Sequence, residues 1–220
     1  MEAMSEQAPE ESPTPRRARM TAAARREQLV AVGRQVFAAK GVDGTSVEEI
    51  AATAAVSKPV VYEHFGGKEG LYAVVVDREL RALTDGVTAS LTAGGSDRET
   101  IERAALALLD YIEGSPDGFR ILVRDVSGTA PTGTYASLLS DVAAEVAHLL
   151  SDAFEQRELE SRYAPMYAQM LVGLVSLTGQ WWLETRTPPK EVVAAHMVNL
   201  AWNGLSGLAG DVTPPPVEFP

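Results

Sequence analysis

From residue 21 onward the apolar positions recur at spacings of three and four, the period of helices packed on one side. Leu29, Val32, Val36 and Phe37 fall on one face of a helix from Ala22 to about Ala39, which Thr21 can cap and Gly41 ends. A short helix from Val47 to Thr53 turns Ile50 and Ala54 inward. Thr45-Ser46-Val47-Glu48 before it fits a capping box, in which a threonine and a glutamate satisfy each other's backbone N–H groups. Ala54-Ala55-Val56 reads as a tight turn. Ser57 is then the cap of a third helix to Phe65, with Pro59 tolerated in its first turn and Gly66-Gly67 stopping it.

The same period continues to the C-terminus. A linking helix is expected from Lys68 to about Leu91. A second capping box, Ser96 to Glu99, opens a helix to Glu113 with Ile101, Ala105, Leu108 and Ile112 on one face. Ser115-Pro116 starts a shorter helix to about Asp125, and the loop "SGTAPTGT" follows. A long amphipathic helix from Tyr135 to about Arg157 carries Leu138, Leu139, Val142, Val146, Leu149 and Leu150. Two more, about 160–185 and 188–209, are separated by "TRTPP". No strand-like alternation lasts more than a few residues, and there is no internal repeat or heptad seam. The expected fold is all-α with about nine helices. It divides into an N-terminal arm (1–20), a helix-turn-helix domain (21–67), a larger helical domain (68–210) and a Pro-rich tail (211–220).

Helix, tight turn, helix, with another helix packed across both, is a helix-turn-helix unit. In the third helix Val61 and Phe65 share a face that can close a small core. Lys58, Val60, Tyr62 and His64 fall elsewhere. A short helix presenting a cation, a methyl-bearing side chain, a phenol and an imidazole suits a DNA major groove. There Lys reaches guanine or phosphate, Val touches a thymine methyl, and Tyr and His donate to phosphates.

Charge distribution changes the picture in the same direction. The whole chain carries −11, but residues 16–72, with nine Lys/Arg and six Asp/Glu, carry +3. A DNA reader needs local positive charge, and the rest of the chain can be acidic. Arg16, Arg17 and Arg19 end the arm, which is expected to be disordered and is a candidate for DNA contact. Cysteine is absent, which excludes disulfides and thiolate chemistry and suits a reducing cytoplasm. No secretory signal is visible. The longest apolar stretch, near Met166 to Leu183, is interrupted by Gly, Gln, Ser and Thr and reads as a buried helix, not a membrane span.

The run "TSVEEIAATAAVSKPVVYEHFGGKEGLY" closely resembles the DNA-binding domain of TetR-family transcriptional regulators. The shared features are Thr45, Ile50-Ala51, Val56-Ser57, Tyr62-x-His64-Phe65 and Lys68-Glu69-x-Leu71, over about residues 22–75. Ala55 departs from the pattern, since a glycine is common at that turn. A positive φ there would cost on the order of 1 kcal/mol. The resemblance implies that Ser57, Lys58, Pro59 and Val60 face base edges. Thr45, Tyr62, His64 and Lys68 would hold phosphates.

The last two helices are apolar nearly all round, and Gly173, Gly204 and Gly207 permit close approach, which implies a symmetric partner. The resembling family joins two subunits through these helices. Leu174, Leu177, Trp181, Met197 and Leu205 are the candidate interface residues. Tyr111, Phe119, Tyr135, Phe154, Met166, Tyr167 and Met170 are candidates to line a pocket for a small hydrophobic or aromatic effector, with Arg120 or Arg124 meeting an acidic group. No Gly-rich phosphate loop, nucleophile elbow or distinctive carboxylate pair occurs. His64, His148 and His196 lie in three different helices, so neither an enzyme nor a metal site or cofactor is expected. The expected protein is a homodimeric, ligand-released repressor acting on a palindromic DNA site. The alternative is a repressor or activator governed by a protein partner or by abundance.

Overall fold

The computed structural model describes residues 20–125 and 133–208. The basic arm, the greater part of the 127–134 loop and the Pro-rich tail lie outside the described residues. Among the described residues every regular element is helical: α1 (Ala22–Lys40), α2 (Val47–Thr53), α3 (Lys58–Phe65), α4 (Lys68–Thr92), α5 (Asp97–Gly114), α6 (Pro116–Arg124), α7 (Tyr135–Gln156), α8 (Ala164–Thr185) and α9 (Lys190–Ser206). A single 3-10 turn, Ser161–Tyr163, leads into α8.

Local chemistry sets most of these boundaries. The Thr21 hydroxyl accepts from the Ala24 N–H at 3.1 Å and starts α1. The capping box at Ser96 and Glu99 opens α5 as expected. At α7, Thr134 and Ser137 form an equivalent box, with serine in the place usually held by Glu or Gln. The capping box expected at α2 does not form, and a single side-chain cap takes its place one residue later. Ser46, not Thr45, is the N-cap and accepts from Glu49 N–H at 3.1 Å. Thr45 is buried and donates its hydroxyl to Gly41 C=O at 2.7 Å. Glu48 and Glu49 turn instead to lysines, Glu49 receiving Lys40 at 2.5 Å. Ala55 has φ of 52°, so the turn between α2 and α3 does use the left-handed region.

Leu29, Phe37, Ile50 and Val61 from α1–α3 meet Leu71 of α4 in a core where each is at most 1% exposed. Burial of each such side chain stabilises the module by about 1.5–3 kcal/mol. The first turns of α4 belong to this module, and its later turns pack on α5. The short α6 lies against both α1 and α4, α7 packs along α8, and α9 packs on α5. Ala168, Val172, Ser176, Gly179 and Leu183 form the inward stripe of α8.

A candidate DNA-reading helix and the cavity behind it

The third helix leaves its N-terminus open. Ser57 occupies the N-cap position, but its side chain makes no capping hydrogen bond, so the hydroxyl and the first backbone N–H groups are available to an anion or a base edge. Ser57, Lys58 and Pro59 are exposed, and Tyr62 is 54% exposed. Val61 is fully buried, as its spacing requires. Val60 is half-buried against the core, so it offers part of its surface and not the whole side chain. His64 is half-buried at the helix end, where Gly66 at φ 72° closes the helix. Lys58 is paired with Glu48 of α2. The hydrogen bond from Lys58 holds the Glu48 carboxyl below its usual range.

Two further candidates have partners within the chain. The exposed hydroxyl at the start of α2 belongs to Ser46, since Thr45 is buried and engaged with Gly41. Lys68 is half-buried, and its ammonium donates to Val42 C=O and Thr45 C=O, both at 3.0 Å. It therefore ties α4 to the loop before α2, and of its three protons one is left for a phosphate. Long-range clamps with no signature in the sequence fix the reading helix. Arg26 of α1 donates to His64 C=O at 2.8 Å and lies 4.4 Å over the Phe65 ring. Gln28 donates to Ala54 C=O at 3.0 Å. These partners are 38 and 26 residues apart, beyond any local period.

Behind this module, α4, α5, α7, α8 and α9 line a partly open cavity of about 600 Å³. Leu138, Val142, Val146 and Leu150 of α7, Leu83 and Val87 of α4, and Leu108 of α5 form much of its wall. The α7 contribution runs from Tyr135 to Arg157. At 1.5 Å per residue that is a stripe about 33 Å long. At the far end Arg157 caps α9, donating to Leu205 C=O at 2.8 Å and Ser206 C=O at 2.9 Å.

Of the seven aromatic and methionine candidates for the pocket, Tyr135 and Phe154 are in the wall. Tyr111 and Phe119 pack edge-to-face with each other in the core between α5 and α6. Met166 and Met170 are on the outer side of α8, and Tyr167 packs on Phe154 from outside the wall. The helical phase explains the difference, because Met166 and Met170 lie opposite the inward stripe through Ala168, Val172 and Ser176. Neither arginine candidate lines the cavity. Arg120 pairs with Asp117 and Glu184, and Arg124 donates to Ala38 C=O at 2.8 Å.

The same phase divides the interface candidates between two faces. Leu174, Met197 and Leu205 line the cavity. Leu177 (65% exposed) and Trp181 (50%) lie on the outer face, joined by Met170, Val192 and Leu200. A Cβ on Gly173 or Gly204 would meet nothing within 4 Å, so both glycines are open to the outside.

A polar hub joins the two regions. Glu79 of α4, 8% exposed, accepts from Tyr111 and Ser115 hydroxyls, both at 2.8 Å, and pairs with Arg34 of α1 at 3.3 Å. Gly118 of α6 lets the helix approach so closely that any Cβ would collide with the Glu79 carboxylate. Burial, and after it the charge on Glu79, pushes the Tyr111 phenol well above its usual range.

A helix-turn-helix core with an exposed third helix defines a DNA-binding protein. Its family is shown by sequence. Residues 29–75 match the model of bacterial regulatory proteins of the tetR family, and residues 86–216 match that of the tetracyclin repressor-like C-terminal domain. The chain belongs to the TetR family of transcriptional regulators and is not an enzyme. It is 31% identical over 185 residues, 83% of each chain, to the HTH-type transcriptional activator FasR of Mycolicibacterium smegmatis. Among solved structures it resembles a TetR-like transcriptional regulator from Rhodococcus sp. RHA1, with a TM-score of 0.73 and 26% identity over 86% of this chain and 100% of the other. It shares its fold with the ketosteroid transcriptional regulator KstR2 of Mycobacterium tuberculosis, with a TM-score of 0.68 and 16% identity over 82% and 94% of the two chains.

Proposed function

We propose that the chain acts as a homodimer that binds a two-fold symmetric DNA site and is controlled by an elongated, apolar small molecule. Ser57, Lys58, Pro59, Tyr62 and the exposed part of Val60 read or brace the major groove. Ser46, His64 and the remaining proton of Lys68 contact phosphates. Two copies joined through the outer faces of α8 and α9 present two such helices to successive turns of DNA, about 34–36 Å apart or somewhat more.

The cavity carries the ligand half of this reading. Its size falls within the usual range for small-molecule sites, and 600 Å³ spread along a stripe of about 33 Å suits a chain better than a broad molecule. A ligand changes DNA affinity only through unequal affinity for two arrangements of the dimer, and a tenfold effect requires about 1.4 kcal/mol of difference. The lever is α4, whose first turn is tied by Lys68 to the reader and whose later turns line the cavity. The sign of regulation is taken from the relative named as an activator, so activation is favoured over repression.

The test selects bound sequences from random duplex DNA, then titrates long-chain apolar compounds into the resulting complex while following melting temperature. A selected palindrome, and compounds that both stabilise the protein and alter its DNA affinity, are expected. Stable DNA binding unaffected by any such compound would favour control by a protein partner or by abundance. A reporter carrying the selected site upstream of a promoter decides the sign.

A further inference from the structure

At its inner end, toward the DNA-reading module, the cavity wall changes from hydrocarbon to hydroxyl. Tyr135, the first residue of α7, is 7% exposed and lines the cavity, and its hydroxyl faces Ser176 without making a hydrogen bond of ordinary geometry to any described residue. Ser176 of α8, 4% exposed, lines the same end. It stands near enough to temper the upward push that burial gives the phenol, which still reaches about 12. The phenol is therefore a proton donor at neutral pH. Leu83, Leu108 and Leu138 line the same cavity. A buried, unsatisfied hydroxyl is costly and rare in native proteins unless something else completes it.

The surroundings limit what that can be. Among the described lining residues Arg157 is the basic one, and it stands at the opposite end of the α7 stripe, about 33 Å away. A carboxylate beside Tyr135 would be a buried charge without a counter-ion. Pure hydrocarbon would leave the phenol unsatisfied. An uncharged oxygen satisfies it at no such cost.

We propose that Tyr135 and Ser176 form a recognition site for a hydroxyl or carbonyl oxygen at the leading end of an elongated apolar ligand, so that the effector is a neutral oxygenated chain. This rests on the reading of the cavity as a ligand chamber. The position is also suited to signalling. The Tyr135 ring packs edge-on against Phe119 at 5.6 Å, and Phe119 packs against Tyr111 at 6.3 Å. Tyr111 donates to Glu79, the partner of Arg34 in α1. The polar contact thus sits at the head of a continuous row of packed groups that ends in the DNA-reading module.

The experiment measures binding of 1-dodecanol, 2-dodecanone and n-dodecane to the full chain, by displacement of anilinonaphthalene sulfonate. Wild type, Tyr135→Phe and Ser176→Ala are compared, with melting curves to establish folding. Tyr135→Phe is expected to weaken the alcohol and the ketone by roughly fivefold and to leave dodecane unchanged. Ser176→Ala should give a smaller loss of the same pattern. If Tyr135→Phe shifts all three equally, or none, the pair satisfies itself or holds only water, and the proposal falls while the chamber stands. If none of the three displaces the probe from wild type, the chamber reading fails and takes this site with it.

Discussion

In the DNA-reading module Leu29, Phe37, Ile50, Val61 and Leu71 converge until each is at most 1% exposed. In the larger domain leucines and valines at the same helical spacing stand back from one another around about 600 Å³. The apolar surfaces left outside differ too. Among the described residues from Lys68 onward, six of the eight large exposed hydrophobics lie on α8 and α9, at Met166, Met170, Leu177, Trp181, Val192 and Leu200, with Leu149 and Tyr163 outside them. The first region uses its apolar residues to hold a short helix rigidly, with Arg26 and Lys68 as clamps. The second uses the same residue types for three tasks, a core, a chamber wall and an outer face. Helical period does not separate those tasks.

The contrast can be broken most severely at the outer face. Leu177→Asp with Leu200→Asp should convert a dimer into monomers of 23.5 kDa and abolish operator binding with the reading helix intact, because burying unpaired charges costs several kcal/mol. Light scattering and gel shift read both effects, and a wild type already monomeric at micromolar concentration would remove the interface. Next in size is a matched pair of truncations. Leu29→Ala should cost about 3 kcal/mol in urea unfolding, since it opens a hole in a filled core. Leu150→Ala, beside space already empty, should cost less than about 1.5 kcal/mol. Equal losses would mean that the two interiors are packed alike.

Lys68→Ala tests whether a clamp is also a contact. Losing two charge-assisted hydrogen bonds should destabilise the module by about 2 kcal/mol, and losing a phosphate contact should lower the salt slope of DNA binding by about 1 per subunit. A fall in stability with an unchanged slope would leave Lys68 as a clamp alone. The smallest effect is expected at Ala55→Gly, which relieves a φ of 52°. It should stabilise the protein by about 1 kcal/mol and raise Tm by about 3 °C. No gain in a thermal melt would show that the turn carries no strain.

What the sequence determined by itself is local or periodic. Caps at Thr21 and Ser96, glycines after Lys40 and Phe65 and prolines in first turns place the helix ends to within a few residues, because those signals act within one turn of backbone. The spacing of Val61 and Phe65 was enough to divide the reading helix into buried and exposed faces, and the motif around it was enough to identify the family. Tertiary structure decided what depends on distant partners. Thr45 and Ser46 are adjacent hydroxyls, and the carbonyl of Gly41 decided which of them became the cap. Helices α8 and α9 are apolar nearly all round, so their sequence carries no phase from which to choose between Leu174 in the chamber wall and Leu177 on the outer face. That choice was made when α5 and α7 covered one side, since a helix with no polar stripe is oriented by its neighbours and not by water.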